Sequence, residues 1–283
     1  MTRRLANERR RKTAGRVVAY LVLSFMCLMV IFPFAIVVST SLKTLADSVK
    51  VPFTFFPGYA DLNAYGEVFR SESVWRGLAN TLFVVLPIMV MGVFMSSLSA
   101  YSFAKIQFRG KGLMFAILMF SMMLPGVITM TPAYVIYDMI GWTDTYLPLM
   151  IPNAFGTASC VFYLRQFFYG IPDELMEAAE LDGLGRFGVF LRILLPLSKP
   201  ALIAQMILWF IAGYNDYFGP MLYLNSEEKY TLQLVLKLMT GSSESNWPKV
   251  MACCIVTMIP LLILYFAAQK KFVEGIVMTG LKG

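Results

Sequence analysis

Six stretches of this chain carry no charged residue, at 17–42, 77–104, 113–137, 146–164, 201–215 and 250–269, and charge-bearing segments separate them. A helix rises about 1.5 Å per residue, so roughly 18 to 20 apolar residues cross a hydrocarbon layer about 30 Å thick. Five of the six runs meet that length. The run at 201–215 meets it only by continuing past Asp216 toward Leu224. The pattern therefore predicts an all-α, polytopic membrane protein with six spanning helices. Pro125-Gly126 and Pro132 interrupt the third run, and Pro148 and Pro152 the fourth. Bends are expected there, although neighbouring helices also tolerate such prolines without any hinge.

Charge orients these spans. Arg3, Arg4, Arg9, Arg10, Arg11, Lys12 and Arg16 precede the first run against a single acid, Glu8. Basic residues stay on the cytoplasmic side, so the N-terminus is expected inside. With six spans the segments 105–111, 165–199 and 270–283 are then inside as well, which collects seventeen of the twenty-four basic residues there. Removing one span would reverse that bias. The first run is long, lacks a small-residue cleavage site and is followed by a second span, so it reads as an uncleaved helix rather than a secretory leader. The net charge of +7 needs no nucleic acid, because a basic tail beside anionic lipid accounts for it.

Composition narrows the chemistry. Hydrophobic residues make up 58% and charged residues 14%, against about 25% charged in soluble domains. The chain has no histidine, which removes the commonest general base and metal ligand. Cys27, Cys160, Cys253 and Cys254 lie inside apolar runs without C-x-x-C spacing, where cysteine acts as a small hydrophobe. Neither a metal site nor catalytic residues are expected. The segment 43–75 mixes prolines and aromatics and reads as ordered but too short for a domain, while 225–249 has room for a short helix around 231–238.

The charged insert at 171–200 has its own logic. Pro172 suits the first position of a helix, and Asp173, Glu174 and Glu177 place negative charge in the first turns, where the helix dipole favours it. Leu175, Met176, Ala179 and Leu181 offer an apolar side, and Ala178 and Ala179 permit close approach of another surface. Gly183 after Asp182 can take the left-handed conformation that ends a helix. A second helix over 186–195 then leads to Pro196 and Pro200. Taken alone, these features also fit an ordinary charged helical loop.

Glu177-Ala178-Ala179, Asp182-Gly183, Phe187, Pro196 and Pro200, in that order, resemble the EAA loop of binding-protein-dependent ABC importers. Further segments are similar to carbohydrate permeases of the maltose-transporter type: Asn80-Thr81, Ala100-Tyr101-Ser102-Phe103-Ala104-Lys105, Phe108-Arg109-Gly110-Lys111 and Thr131-Pro132-Ala133-Tyr134. The ending Gln269-Lys270-Lys271-Phe272-Val273-Glu274-Gly275, with Thr279-Gly280-Leu281-Lys282-Gly283, looks like the tail of the second permease subunit of such a system. The resemblance implies a basic tail at 1–16 and a six-span permease domain at 17–283, with a coupling loop at 171–200 and a cytoplasmic tail at 270–283. It implies ATPase coupling through Glu177, Ala178, Ala179, Asp182 and Gly183. Implied partners are a second, different permease, two ATPase subunits and an extracytoplasmic sugar-binding protein, in a bacterial or archaeal cytoplasmic membrane. No G-x-x-x-x-G-K-[ST] loop occurs here, so ATP and magnesium belong to the partner ATPase and this chain carries no cofactor.

Polar residues within or beside apolar runs are the candidates for a substrate path: Asn80, Asn153, Gln205, Asn215 and Asp216, with Trp209, Phe210, Tyr214 and Tyr217 as aromatic platforms. Each can instead bond a neighbouring helix or sit near water at a span end. The resemblance to carbohydrate permeases implies import of a sugar or oligosaccharide. A permease for a polyol phosphate, peptide or ion stands as the alternative, and an integral membrane enzyme or free-standing channel is disfavoured by the missing chemistry.

Overall fold

The computed structural model describes residues 2–241 and 246–280, with side chains over 15–241 and 246–269. Among the described residues the secondary structure is helical and contains no strand. In chain order the helices are α1 (Thr2–Ser41), α2 (Leu45–Ser48), α3 (Asn63–Arg70), α4 (Glu72–Lys105), α5 (Lys111–Met123), α6 (Gly126–Met139), α7 (Leu147–Ala154) and α8 (Ala158–Tyr169). There follow α9 (Glu174–Leu181), α10 (Arg186–Val189), a π-helical stretch Phe190–Leu194, α11 (Leu195–Leu197), α12 (Lys199–Tyr214), α13 (Phe218–Tyr223), α14 (Leu232–Thr240) and α15 (Trp247–Gly280).

Four helical segments are long and apolar enough to cross a membrane alone: Gly15–Ser41, Glu72–Lys105, Leu147–Tyr169 and Trp247–Gln269. Two further pairs pass the same test but are bent, by 98° between α5 and α6 and by 78° between Arg186–Leu197 and Lys199–Tyr214. Counting each pair as one span gives the six expected. The sharp bend in the third run falls at Leu124-Pro125, whereas Pro132 lies inside α6 without ending it. In the fourth run Pro148 occupies the first turn of α7 and Pro152 its interior, and the helix breaks beyond them, at Gly156 with φ +98°. The fifth run does not continue past Asp216 as expected, and it passes the spanning test only together with the sharply bent Arg186–Leu197. Helix α12 starts at Lys199 and closes at Tyr214, with Asn215 as its cap.

The chain divides into two compact units, residues 1–71 with 239–256 and residues 72–238 with 257–283. In the first, α1 exposes its apolar side chains throughout 17–34, as a lipid- or partner-facing helix does. Its far end is knitted to the following segment. The Ser41 hydroxyl meets that of Tyr65 at 2.8 Å, the Asp61 N–H donates to the Leu42 carbonyl at 2.9 Å, and Ser39 Oγ donates to the Phe55 carbonyl. Lys43 is buried with its ammonium 3.6 Å from the Phe53 ring centre. Lys249 pairs with Glu67 at 2.9 Å.

The second unit is built on α4, against which α7, α8 and α12 pack. Gly92, Ser96, Ala100 and Ala104 recur every four residues along α4 and are all buried. In hydrocarbon there is no hydrophobic drive to join helices, so small residues that let backbones approach supply the contact. A Cβ added at Gly92 would lie 2.3 Å from the Trp209 ring and 2.6 Å from the Asn153 carbonyl oxygen. Ser96 Oγ accepts the Thr157 N–H at 3.3 Å, and Thr157 in turn caps α8 by accepting the Cys160 N–H at 3.3 Å.

Candidate functional site

At one end of α4 lies the charged insert, folded as helix, turn and helix. Helix α9 begins at Glu174, two residues later than Pro172 suggested, because Asp173 takes the cap position and turns its carboxylate elsewhere. Lys105, the last residue of α4, donates to Asp173 Oδ1 and to the Ile171 carbonyl, each at 2.6 Å. The lysine side chain is only 7% exposed while that of Asp173 is 73% exposed, so the buried partner is the one whose position is fixed. Met176 and Ala179 of α9 are buried in the same cluster as Tyr101, Phe168, Val189 and Phe190. Leu181 is 90% exposed, and Leu175, Glu177, Ala178 and Asp182 are exposed with it. The apolar residues of α9 thus split: one pair anchors the helix on its own unit, and the others point away.

Gly183 has φ +88°. Its N–H reaches the Glu180 carbonyl and the Leu184 N–H reaches the Ala179 carbonyl, both at 3.0 Å, the paired bonds of a Schellman termination. Arg186 to Leu197 then returns along α4. Tyr101 stacks on Phe190 at 5.5 Å and its hydroxyl donates to the Arg186 carbonyl at 3.2 Å. Pro196 lacks the N–H that an α-helix would direct at residue 192, and the turns before it widen to a π-helix over Phe190–Leu194. A polar groove of about 370 Å³ runs beside α9, bordered by Tyr101, Lys105, Asp173, Glu177, Glu180 and Arg186.

A second concavity, of about 260 Å³, lies within the helices of the same unit and is lined by residues including Thr81, Leu149, Asn153, Trp209, Asp216 and Thr231. Of the five path candidates, Asn153 and Asp216 meet here. Asn153 donates to the Leu149 carbonyl at 2.8 Å, and Asp216 Oδ1 accepts the Gly219 N–H at 3.2 Å. The structure places the other three outside the lining. Asn80 donates to the Glu228 and Tyr230 carbonyls at 2.8 and 3.0 Å, Asn215 caps its own helix through the Ile211 carbonyl at 2.8 Å, and Gln205 is half-buried on α12. Among the aromatics Trp209 borders the cavity, whereas Phe210 and Tyr214 are buried and stacked on each other at 5.5 Å.

The segment that follows α13, held on one side by Asn80, is fastened on the other by Asp144. Asp144, at φ +53°, accepts from Lys229 Nζ at 2.8 Å, from the Ser226 hydroxyl at 2.5 Å and from the N–H groups of Ser226 and Asn225 at 2.9 and 3.0 Å. The Lys229 ammonium, followed by these donors, holds its carboxyl well below the ordinary carboxylate range. Composition offered no signal for the contacts of Asp144 or Lys105, since the partners of each lie far along the chain.

Residues 81–277 match the family described as binding-protein-dependent transport system inner membrane component, and the chain belongs to it. It is accordingly a multi-pass membrane transport component rather than an enzyme. It is 27% identical to the arabinooligosaccharides transport system permease protein AraQ of Halalkalibacterium halodurans, over 92% of this chain and 94% of the relative. It is 32% identical to the sn-glycerol-3-phosphate transport system permease protein UgpE of Agrobacterium fabrum, over 94% and 97%. Among solved structures, a bacterial ABC transporter involved in import of the acidic polysaccharide alginate has a chain that superposes with TM-score 0.82 at 27% identity, over 90% of this chain and 95% of that one. The fold is that of an ABC importer permease.

Proposed function

We propose that this chain is one of two different permease subunits of an importer that carries a sugar or oligosaccharide across the cytoplasmic membrane. A separate ATPase pair drives it through α9, and an extracytoplasmic binding protein delivers the cargo. The observation that carries the coupling role is the division of α9 into a buried anchor, Met176 and Ala179, and an exposed face with Glu177, Ala178 and Leu181. Such a helix moves with its own unit and still offers a surface to a partner. Lys105 and Tyr101 tie its flanks to α4, and α4 reaches the cavity through Thr81. A push on α9 is therefore delivered to the helix that borders the cargo space. The basic-residue bias supports both termini and the 171–200 loop on the cytoplasmic side. ATP and magnesium are bound by the partner.

Sugar cargo is supported by the permease of arabinooligosaccharides, while the glycerol-phosphate relative favours polyol phosphate as the second reading. Uptake by the complete assembly, reconstituted with its ATPase and binding protein, decides between them. ATP-dependent accumulation of an oligosaccharide is expected. Accumulation of glycerol phosphate alone rejects the sugar reading.

A further inference from the structure

We infer that the cavity at Asp216 holds one uncharged sugar ring and turns away anionic cargo, a charge filter set by this subunit; the inference rests on the sugar reading above. Among the described residues Asp216 is the only charged one that borders the cavity, and no cation pairs with it. Around it stand the apolar Val84, Ile88 and Leu149, the Trp209 ring and the Asn153 amide. Thr231, whose hydroxyl is buried without a hydrogen-bond partner, borders the same space.

This set matches the two chemistries of a pyranose or furanose. The C–H faces of the ring lie on tryptophan and aliphatic side chains, and hydroxyl edges donate to carboxylate and amide oxygens. At about 260 Å³ the space falls just below the usual 300–1,000 Å³ of ligand pockets, which suits one ring rather than a whole oligosaccharide. A uronate or phosphate placed about 5 Å from Asp216 meets like charge with no compensating cation. At an effective dielectric of about 20 that repulsion disfavours it by roughly a hundredfold. Asp216 also receives the Gly219 N–H, so a merely structural role has to be separated from the filter. Asparagine serves equally well at such a cap while removing the charge.

The test uses the permease pair with its ATPases in detergent or nanodiscs, without binding protein, and follows tryptophan emission. The probes are neutral trisaccharides of mannose, galactose and arabinose, and the uronate trimers of mannose and galactose. Saturable change with at least one neutral probe is expected, abolished in Trp209→Phe, with uronates at least about a hundredfold weaker. In Asp216→Asn, checked for intact assembly by copurification, the gap should narrow to about tenfold or less. Equal response to both classes in the unsubstituted protein, or an unchanged gap in Asp216→Asn, overturns the filter. If the whole assembly imports a neutral sugar yet no probe changes the Trp209-dependent signal, this inference fails alone. If no sugar of either class is bound or imported, it fails together with the sugar reading.

Discussion

Single residues hold the turn and loop geometry of this protein in place. Gly183 ends α9 at φ +88°, where a side chain with a Cβ costs about 1–2 kcal/mol. Gly183→Val should leave membrane insertion intact and lower copurification of the ATPase severalfold, whereas full recovery of the ATPase with normal transport would contradict the docking role. Asp144 makes a pH-dependent contribution. Its folded-state carboxyl titrates below the ordinary value of about 3.9, so its bonds stabilise the fold above that value and are lost as pH falls through the folded one. Asp144→Asn should therefore melt at lower temperature than the unsubstituted protein at pH 7, with the difference shrinking below about pH 4; a difference independent of pH would reject the assignment. The glycine was legible from its place after a charged amphipathic segment. The aspartate was not, because Lys229 and Ser226 reach it from more than eighty residues away.

At the level of elements, α4 joins the two sites. Its small-residue face lets α7, α8 and α12 close upon it, and Gly92 lies where the Trp209 ring leaves no room for a methyl group. Gly92→Ala is expected to destabilise the bundle by about 1–3 kcal/mol through overpacking, seen as reduced thermal stability in detergent. At its other end Lys105 holds the start of α9. Lys105→Ala should raise the ATP hydrolysed per sugar imported, and Lys105→Arg should restore most of the coupling; unchanged stoichiometry in Lys105→Ala would remove α4 from the relay. The existence and approximate extent of α4 followed from its uncharged length. The repeat Gly92, Ser96, Ala100, Ala104 was present in the sequence but competes with many other spacings in an apolar run. Only the neighbours that pack on it single it out.

For the whole molecule, the exposed face of α9 sets the expected assembly. A cysteine at Ala178 should crosslink to an ATPase subunit and resist impermeant reagents added from outside, while labelling from outside would reverse the orientation. The cytoplasmic tail expected at 270–283 falls partly on residues 281–283, which lie outside the described residues; helix α15 itself continues through 270–280. The sequence alone determined the number of apolar runs, the side toward which basic charge gathers and the helix-turn-helix character of 171–200. Each of these depends on run length, charge or local helical spacing among residues close in the chain. Tertiary structure decided where the runs bend, which side of α9 is free and which polar groups meet. Asn153, Thr231 and the pair Trp209 and Asp216, on and just past α12, come from three separated segments. A polar residue in an apolar run can satisfy itself on its own helix, as Asn215 does through the Ile211 carbonyl, or face a cavity, as Asp216 does. The choice rests on how each helix is rotated against its neighbours, and local periodicity does not encode that rotation.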